Sequence, residues 1–272
     1  MHPIFIRLGS FEIHWYGVCM AVGFLLFLWT LRHFGRGTRR DGDYVSNLLT
    51  LLIVFGLGGA RAAYVIEHWS AQFAHEPWQI FNLHQGGLMF YGGLIGAWLS
   101  VTVFALWHRE NYLDFLDFLV TALPIGHAMG RVGCFLEGCC FGARTDGPLG
   151  VVYPIGSHAW GHQVAEGLIS RASRPLPLYP SQLFESALLL VIYAALFRHY
   201  PRRRRPGEQV AVYAISYAVV RFVIEMFRSD ERAHVGVFTI SQFISLLLFA
   251  FGVAMAVYAW WPRRKTTNPG EP

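Results

Sequence analysis

The residues of this chain whose types and spacing could do chemistry centre on one arginine. Arg131 stands in a glycine-rich stretch at residues 126–142, beside an apolar segment, and the stretch reads GHAMGRVGCFLEGCCFG. A charged side chain at membrane depth costs about 2.5–3.5 kcal/mol on insertion scales, so it is retained where a partner, a cavity or a charged ligand meets it. Two interpretations follow. Arg131 binds an anion, or it pairs with a buried carboxylate and braces the helices.

A second charged group follows later in the chain. Arg221, Glu225 and Arg228 stand at i, i+4 and i+7, so they share one face of a helix. An ion pair between Arg221 and Glu225 would brace this face and still leave positive charge for an anion. Because the guanidinium fork matches phosphate bidentately, a phospholipid headgroup is the natural anion.

The elements that must position these groups are membrane helices. The chain has 272 residues, of which 54% are hydrophobic and 14% charged, whereas about 25% are charged in soluble domains. Seven apolar segments, each near the ~20 residues that a bilayer core requires, predict an all-α polytopic integral membrane protein. They cover residues 15–34, 44–66, 90–107, 113–131, 181–197, 209–227 and 238–261. The first segment lacks a short basic leader and a small-residue cleavage site, so we expect it to stay as a span.

The distribution of arginine and lysine predicts the orientation. Thirteen of the 22 basic residues follow the first, third, fifth and seventh segments. The N-terminus is therefore expected outside and the C-terminus in the cytoplasm. We expect one domain over residues 1–272, with an interfacial arm at 1–14, an extracytoplasmic subdomain at 143–180 and a cytoplasmic tail at 262–272. Since the basic residues lie between spans, they indicate topology, and we expect no nucleic-acid partner.

With this topology, many polar side chains lie at the outer ends of the spans. They are His14, Tyr16, Arg61, Tyr91, Arg131, Gln182, Glu185, Arg221, Glu225 and Arg228. Polar groups that only join helices would be spread through the bilayer depth. Their convergence predicts a ligand site that faces the outer half of the membrane.

Several separated motifs resemble those of one family. The stretch GRVGCFLEGCCFG is similar to the signature G-R-x-G-N-F-x-N-x-E-x-x-G of the bacterial prolipoprotein diacylglyceryl transferases. The resemblance extends over nearly the whole chain, in the right order. It includes HWYG at 14–17, GAR at 59–61, GGLMFYGG at 86–93, Asp117, YPSQLFE at 179–185 and YAVVRFVIEMFR at 217–228.

The resemblance implies a reaction and its partners. The diacylglyceryl group of phosphatidylglycerol would pass to the thiol of the lipobox cysteine in a preprolipoprotein signal peptide, at the bacterial cytoplasmic (inner) membrane and among membrane lipids. Arg131 and Arg221 would hold the phosphate, Tyr16 would orient the headgroup, and Glu225 would fix Arg221. Further substrate-binding positions carried over from the family are Arg61, Gly92, Gly93, Asp117, Gly133, Cys134, Gly142, Gln182, Glu185 and Arg228.

The base that takes the thiol proton stays open at the level of sequence. Tyr91 stands where many family members carry a histidine, but a phenol with an ordinary pKa near 10 is a poor base at neutral pH. Either nearby arginine tunes Tyr91, or His14 or Glu137 takes the proton, or the phosphate does. The signature also departs from the family pattern at Cys134, Glu137 and Cys139.

Cysteine usage adds a second expectation. Cys134, Cys139 and Cys140 fall within seven residues at the predicted outer face, which is oxidising, whereas Cys19 lies in an apolar span and is expected to be inert. A disulfide between Cys134 and Cys139 or Cys140 is expected ahead of a zinc site, because three cysteines need a fourth ligand. We therefore expect neither a metal nor a cofactor. A catalytic thiol in a ping-pong mechanism is a further alternative, which the family does not suggest.

Two rival function classes remain at this stage. One is a non-enzymatic transporter or lipid-binding membrane protein, which the lack of an inverted repeat and of a midplane charge disfavours. The other is a divergent transferase with the same donor lipid and another acceptor, which the altered signature leaves open. Whether this chain restores growth to cells depleted of their own diacylglyceryl transferase would separate these classes.

Overall fold

The computed structural model describes residues 3–8, 11–74, 76–82, 86–228 and 234–261. The helices within them are α1 Trp15–Gly35, α2 Gly42–Glu67, α3 Phe90–Trp107, α4 Tyr112–Glu137, α5 His158–Ala165, α6 Ser181–His199, α7 Glu208–Glu225 and α8 Ile240–Trp260. The strands are β1 Ile4–Leu8, β2 Phe11–His14, β3 His234–Val235 and β4 Phe238–Thr239. The expected cytoplasmic tail at 262–272 lies outside the described residues.

Six of the helices are long and apolar enough to cross a membrane. They are α1, α2, α3, α4, α6 with its short continuation, and α8. The chain is thus a mostly helical, multi-pass membrane protein. Helix α7, at the position of the sixth predicted span, is as long as α3 but carries three charged residues, Glu208, Arg221 and Glu225, among its 18 residues.

The N-terminal arm is a β-hairpin, so the all-α expectation holds for the spans and not for this segment. Strands β1 and β2 pair antiparallel, and Arg7 forms a 2.6 Å ion pair with Glu12 across the hairpin. Trp15 N donates to Pro3 O at 2.8 Å, and the Phe5 ring meets the Trp15 ring edge-on at 4.6 Å. These contacts fix the hairpin against the first turn of α1.

The chain forms two compact units. The first comprises the described parts of Met1–Phe27 and Leu116–Pro272, and the second is Leu28–Phe115. In the second unit α2 and α3 pack closely because glycines face each other. A Cβ added to Gly92 would lie only 2.4 Å from Gly59 O and from Ala63 Cβ. Gly93 also approaches α2, since its added Cβ would lie 3.3 Å from Gly56 O.

A buried carboxylate holds together the helix connections of this second unit. Glu110 accepts hydrogen bonds from Arg39 at 2.5 Å, from Arg40 at 2.6 Å and from Tyr44 at 2.9 Å. Burial alone would raise the pKa of Glu110, but the hydrogen bonds from Arg40 and Tyr44 and the nearby arginine charges outweigh it and lower that pKa.

In the first unit α7 packs against α6 and α8, and a carboxylate in the N-terminal part of α4 caps α7. Asp117 is fully buried and accepts from Gly207 N at 2.7 Å and from Val210 N at 3.0 Å. These are backbone donors at a helix start, which otherwise lack partners. Asp117 therefore fixes the start of α7.

The segment after α4 folds around a small apolar core in the same unit. Phe141, Tyr153, Ala159 and Leu178 are buried together, with Phe135 of α4 packed against them. Ser157 caps the start of helix α5, and its side chain accepts from Trp160 N at 3.2 Å. The expected subdomain at 143–180 thus shares its core with the end of α4.

Candidate active site

Helix α4 carries the signature arginine further inside a helix than the sequence suggests. The expected end of this span was residue 131, but the helix continues to Glu137 and ends where Gly138 adopts a φ of 75°. Arg131 therefore lies more than one turn before the helix end. Its side chain lies among neighbouring helices, and α6 supplies its partner.

That partner is Glu185 of α6. Arg131 Nε lies 3.1 Å from Glu185 Oε2, although the N–H is not aligned for a hydrogen bond. The Glu185 side chain is 1% exposed, and its Oε1 lies 3.8 Å from His127 Nε2. The bracing interpretation of Arg131 is thus realised in an ion pair. Glu185, expected to bind substrate, is the buried counter-charge of Arg131. Either charge buried without the other would be strongly destabilising.

Arg221 is held by two neighbouring elements. Its Nη2 lies 2.8 Å from Glu225 Oε2, the i, i+4 pair that the sequence predicts, and donates to Ser241 Oγ of α8 at 2.9 Å. Glu225 Oε1 in turn accepts from Thr239 Oγ1 at 2.8 Å. The guanidinium of Arg221 is therefore oriented from both α7 and α8.

The two arginines converge on shared neighbours. The His127 and Tyr217 rings meet at 5.2 Å, and Tyr217 lies close enough to interact with both Arg131 and Arg221. Glu185 likewise interacts with both guanidinium groups. Helices α4, α6 and α7 thus bring two cations and a carboxylate to one place.

This cluster keeps unused hydrogen-bonding capacity. Among the described residues, four buried polar side-chain atoms have no hydrogen-bond partner, and three of them are Arg131 Nε, Glu185 Oε1 and Arg221 Nη1. Leaving such a group unpaired costs about 1–3 kcal/mol, and more when it is charged. Unpaired guanidinium donors at one place are what an anionic ligand would satisfy.

The structure also brings together two of the three side chains that are candidates for the base. His14 Nδ1 lies 3.2 Å from Glu137 Oε1, at the end of α4. Next to this pair in sequence, Tyr16 packs against Gly133, whose added Cβ would lie 3.1 Å from Tyr16 Cδ2. Gly133 is therefore needed for the close approach of α1 and α4, and Tyr16 remains 41% exposed.

Arg61, Tyr91, Gly92 and Gly93 belong to the second unit. In the structure the five N–H donors of Arg61 all reach backbone carbonyl oxygens, so its expected part in substrate binding stays a prediction. Their acceptors are Gln79, Ile80, Asn82, Gly86 and Gly87. Arg61 thus fixes the loop before α3. Tyr91, the remaining candidate base, is 64% exposed at the start of α3.

Three further expected substrate-binding residues serve the fold. Asp117 caps α7 and lies fourteen residues before Arg131, a distance of ~21 Å along a helix. Gln182 Nε2 donates to Cys139 O at 2.6 Å while its Oε1 accepts from Tyr153 at 3.1 Å, so both ends of its amide are used. At Gly142 an added Cβ would lie 2.7 Å from Phe227 O, so this glycine permits close chain contact.

The three clustered cysteines meet at the end of α4. Cys134, Cys139 and Cys140 are half-buried, unbonded thiols whose Sγ atoms lie within 4.8 Å of one another. The expected disulfide is therefore not formed in the structure. Hydrogen bonds with Cys134 and Cys139 and the charge of Arg228 lower the pKa of Cys140, whereas burial raises the pKa of Tyr153 to about 12. Arg228, expected to bind substrate, interacts with Cys140.

Sequence reasoning missed three residues of the cluster. His127 precedes Arg131 by four positions and Tyr217 precedes Arg221 by four, so each shares a helix face with its arginine. That spacing was a usable signal. Ser241 gave none, because its contact with Arg221 depends on how α8 packs against α7.

Comparison with known proteins gives a consistent match. A family model described as prolipoprotein diacylglyceryl transferase matches residues 3–258. The chain is 30% identical to the phosphatidylglycerol–prolipoprotein diacylglyceryl transferase 2 of Clostridium perfringens over 257 residues, which cover 94% of each chain. It is 32% identical to the phosphatidylglycerol–prolipoprotein diacylglyceryl transferase of Nitratidesulfovibrio vulgaris (92% of each chain), and 28% identical to that of Legionella pneumophila strain Paris (97% of this chain, 98% of the relative).

Proposed function

This chain belongs to the prolipoprotein diacylglyceryl transferase family, and on that premise we propose the reaction that it catalyses. It transfers the diacylglyceryl group of phosphatidylglycerol to the thiol of the lipobox cysteine in a preprolipoprotein. This is the first step of lipoprotein maturation. The donor lipid and the protein acceptor are those that the names of its relatives state.

The observation that carries the proposal is the pair of oriented arginines with unpaired donors. Arg131 and Arg221 come from α4 and α7, and each is held by a carboxylate. A phosphodiester between them would receive charge-assisted hydrogen bonds where water competes poorly. Arg131 Nε and Arg221 Nη1, which have no hydrogen-bond partner among the described residues, are suited to this role.

The reaction makes defined demands on these groups. The thiolate sulfur attacks a glyceryl carbon, a sulfur–carbon bond forms, and the carbon–oxygen bond breaks with its electron pair leaving on glycerol phosphate. Negative charge grows on the phosphate oxygen, so donors fixed in advance stabilise the transition state more than the bound lipid. Glu185 and Glu225 act as positioning residues that hold the two guanidinium groups.

The thiol must also lose its proton, because the thiolate is the nucleophile. His14 and Glu137 form a histidine–carboxylate pair at 3.2 Å. With its Nδ1–H donated to Glu137, the imidazole has Nε2 available to accept a proton. We therefore assign the base to His14, positioned by Glu137, in preference to Tyr91, because a phenol is a poor base at neutral pH.

The membrane arrangement is part of the proposal. We take α7 as the seventh span, with the N-terminus outside, the C-terminus in the cytoplasm and the protein in the bacterial inner membrane. Support comes from the ion pair of Arg221 with Glu225, which lowers the cost of charge in α7. Contacts of α7 with α6 and α8 support it as well.

Growth of a depleted strain tests the function. Cells that lack their own diacylglyceryl transferase should grow when this chain is expressed, and should fail with Arg221→Ala at equal membrane abundance. The control Leu247→Ala changes an exposed residue of α8 and should support growth. Absence of growth with the wild-type chain, when it is present in the membrane, would argue for another acceptor.

A further inference from the structure

The cysteine cluster is not used by the reaction as proposed, yet its geometry is specific. Cys134 lies in the last turn of α4, and Cys139 N donates to Cys134 O at 3.1 Å. Gly138 and Cys140 then adopt positive φ values of 75° and 59°. A side-chain-bearing residue rarely adopts such a φ. This tight reversal brings the Cys139 and Cys140 sulfurs back onto Cys134.

The three sulfurs fit the requirements of a zinc ion. Zn–S bonds of ~2.3 Å in a tetrahedron place the sulfurs ~3.8 Å apart. The Sγ atoms already lie within 4.8 Å of one another, about 1 Å more than this separation. Three thiolates and one Zn²⁺ carry a net charge of −1. Arg228 interacts with Cys140, and Arg131 with Cys134 and Cys140, so positive charge is at hand to balance it.

The fourth coordination position decides what such a site does. Among the described residues, no histidine or carboxylate joins the three sulfurs. Zinc sites with four protein ligands are structural, whereas sites with three protein ligands keep one position for water or substrate. The cluster is also only half-buried. A ligand from outside can therefore reach it.

We propose that Cys134, Cys139 and Cys140 bind one zinc ion whose fourth position takes the thiol of the acceptor peptide. The identity of that thiol rests on the proposed function, whereas the zinc site itself does not. On binding, the acceptor thiol loses its proton to the base, because a coordinating thiol is deprotonated. The zinc-bound sulfur then forms the bond to the glyceryl carbon while glycerol phosphate leaves with the electron pair. Zinc keeps its oxidation state, and the neutral thioether dissociates as a weaker ligand.

This inference differs from the disulfide that the sequence favours. A disulfide would use two of the sulfurs and leave the third. A zinc ion uses all three. It also gives the substitutions in the signature a role in the reaction, since they would prepare the substrate thiol.

Metal content of the intact protein is the first test. The full-length chain, purified in detergent with reductant and without chelator and dialysed against micromolar Zn²⁺, should hold about one zinc per chain by mass spectrometry of the metal. Cys134→Ser and Cys140→Ser should each lower zinc content about tenfold or more. Cys19→Ala, which removes a buried thiol outside the cluster, should keep it. A zinc content below about one tenth per chain in the wild type overturns the site, and so does a zinc content in both serine variants that equals that of the wild type.

Two further measurements do not depend on how the variants fold. Co²⁺ in place of zinc should give the wild-type protein a sulfur-to-cobalt charge-transfer absorption, and its absence speaks against thiolate ligation. A bridge among the three cysteines in unreduced protein would replace the zinc site with a disulfide.

A transfer assay separates the inference from the proposed function. Chelator-stripped protein should transfer the diacylglyceryl group about tenfold more slowly or worse, and Zn²⁺ should restore the rate. Full transfer by metal-free protein overturns the inference and leaves the proposed function intact. Zinc binding without transfer to a lipobox peptide, with or without added zinc, overturns the proposed function and the acceptor assigned to the fourth position.

Discussion

Replacing Arg221 with lysine keeps the charge and removes the fork of the guanidinium. Arg221 Nη2 contacts both Glu225 and Ser241, at 2.8 and 2.9 Å, while its buried Nη1 has no hydrogen-bond partner in the part of the chain that the structure describes. A lysine Nζ replaces the Nη2 contact with Glu225. It cannot also supply the second donor, because one ammonium cannot occupy both positions.

The size of the effect follows from that one lost donor. Removing a single donor to developing oxyanion charge lowers kcat about 100-fold. At ~1.36 kcal/mol for each factor of ten, this equals ~2.7 kcal/mol of transition-state stabilisation. Because the phosphate gains charge as the carbon–oxygen bond breaks, the loss should fall on kcat more than on KM.

The assay is transfer of a radiolabelled diacylglyceryl group from phosphatidylglycerol vesicles to a lipobox peptide, at saturating lipid. Arg131→Lys should show a loss of similar size. Arg198→Lys is the matched control, since Arg198 is exposed at the end of α6 and should turn over normally. Near-normal kcat for Arg221→Lys would refute the reasoning and leave Arg221 as a brace between α7 and α8.

Three other predictions concern packing, pH and topology. Gly142→Ala should lower the free energy of unfolding by about 1–3 kcal/mol in thermal unfolding, because its Cβ would lie 2.7 Å from a carbonyl oxygen. Glu110→Gln should lower Tm at pH 7, and the difference in Tm should shrink as the pH falls below about 4.5. The pKa of Glu110 is lower in the folded than in the unfolded protein, so its charge stabilises the fold above the unfolded pKa, and this stabilisation is lost as the pH falls through the folded pKa. In a cysteine-free background, an impermeant thiol reagent added outside should label Ala172→Cys and not Thr38→Cys, and the reverse pattern would contradict the orientation.

Local patterns explain what the sequence predicted well. Helix α3 has the bounds expected from its apolar run, 90–107, and α1 and α2 differ from expectation by at most two residues at either end. The Arg221–Glu225 pair was predictable because i, i+4 neighbours meet on any helix. Hydropathy and helical spacing depend only on nearby residues, so the sequence displays them directly.

Contacts between distant residues explain what the sequence missed. Glu185 pairs with Arg131 from 54 residues away (185 minus 131), and Asp117 caps a helix that begins 91 residues later (208 minus 117). Arg61 donates its hydrogen bonds to the carbonyl groups of a loop, and these groups converge only in the folded chain. A family resemblance marks such residues as important, but it does not say whether they hold a substrate or another part of the protein.

Product analysis of a reconstituted reaction tests the central claim most directly. The purified chain is incubated with phosphatidylglycerol vesicles and a lipobox peptide, and the peptide is analysed by mass spectrometry, with a peptide carrying serine in place of the lipobox cysteine as control. The cysteine peptide should gain the mass of one diacylglyceryl group, with one glycerol phosphate released for each. An unmodified cysteine peptide, or equal modification of the serine peptide, would contradict thiol transfer by this protein.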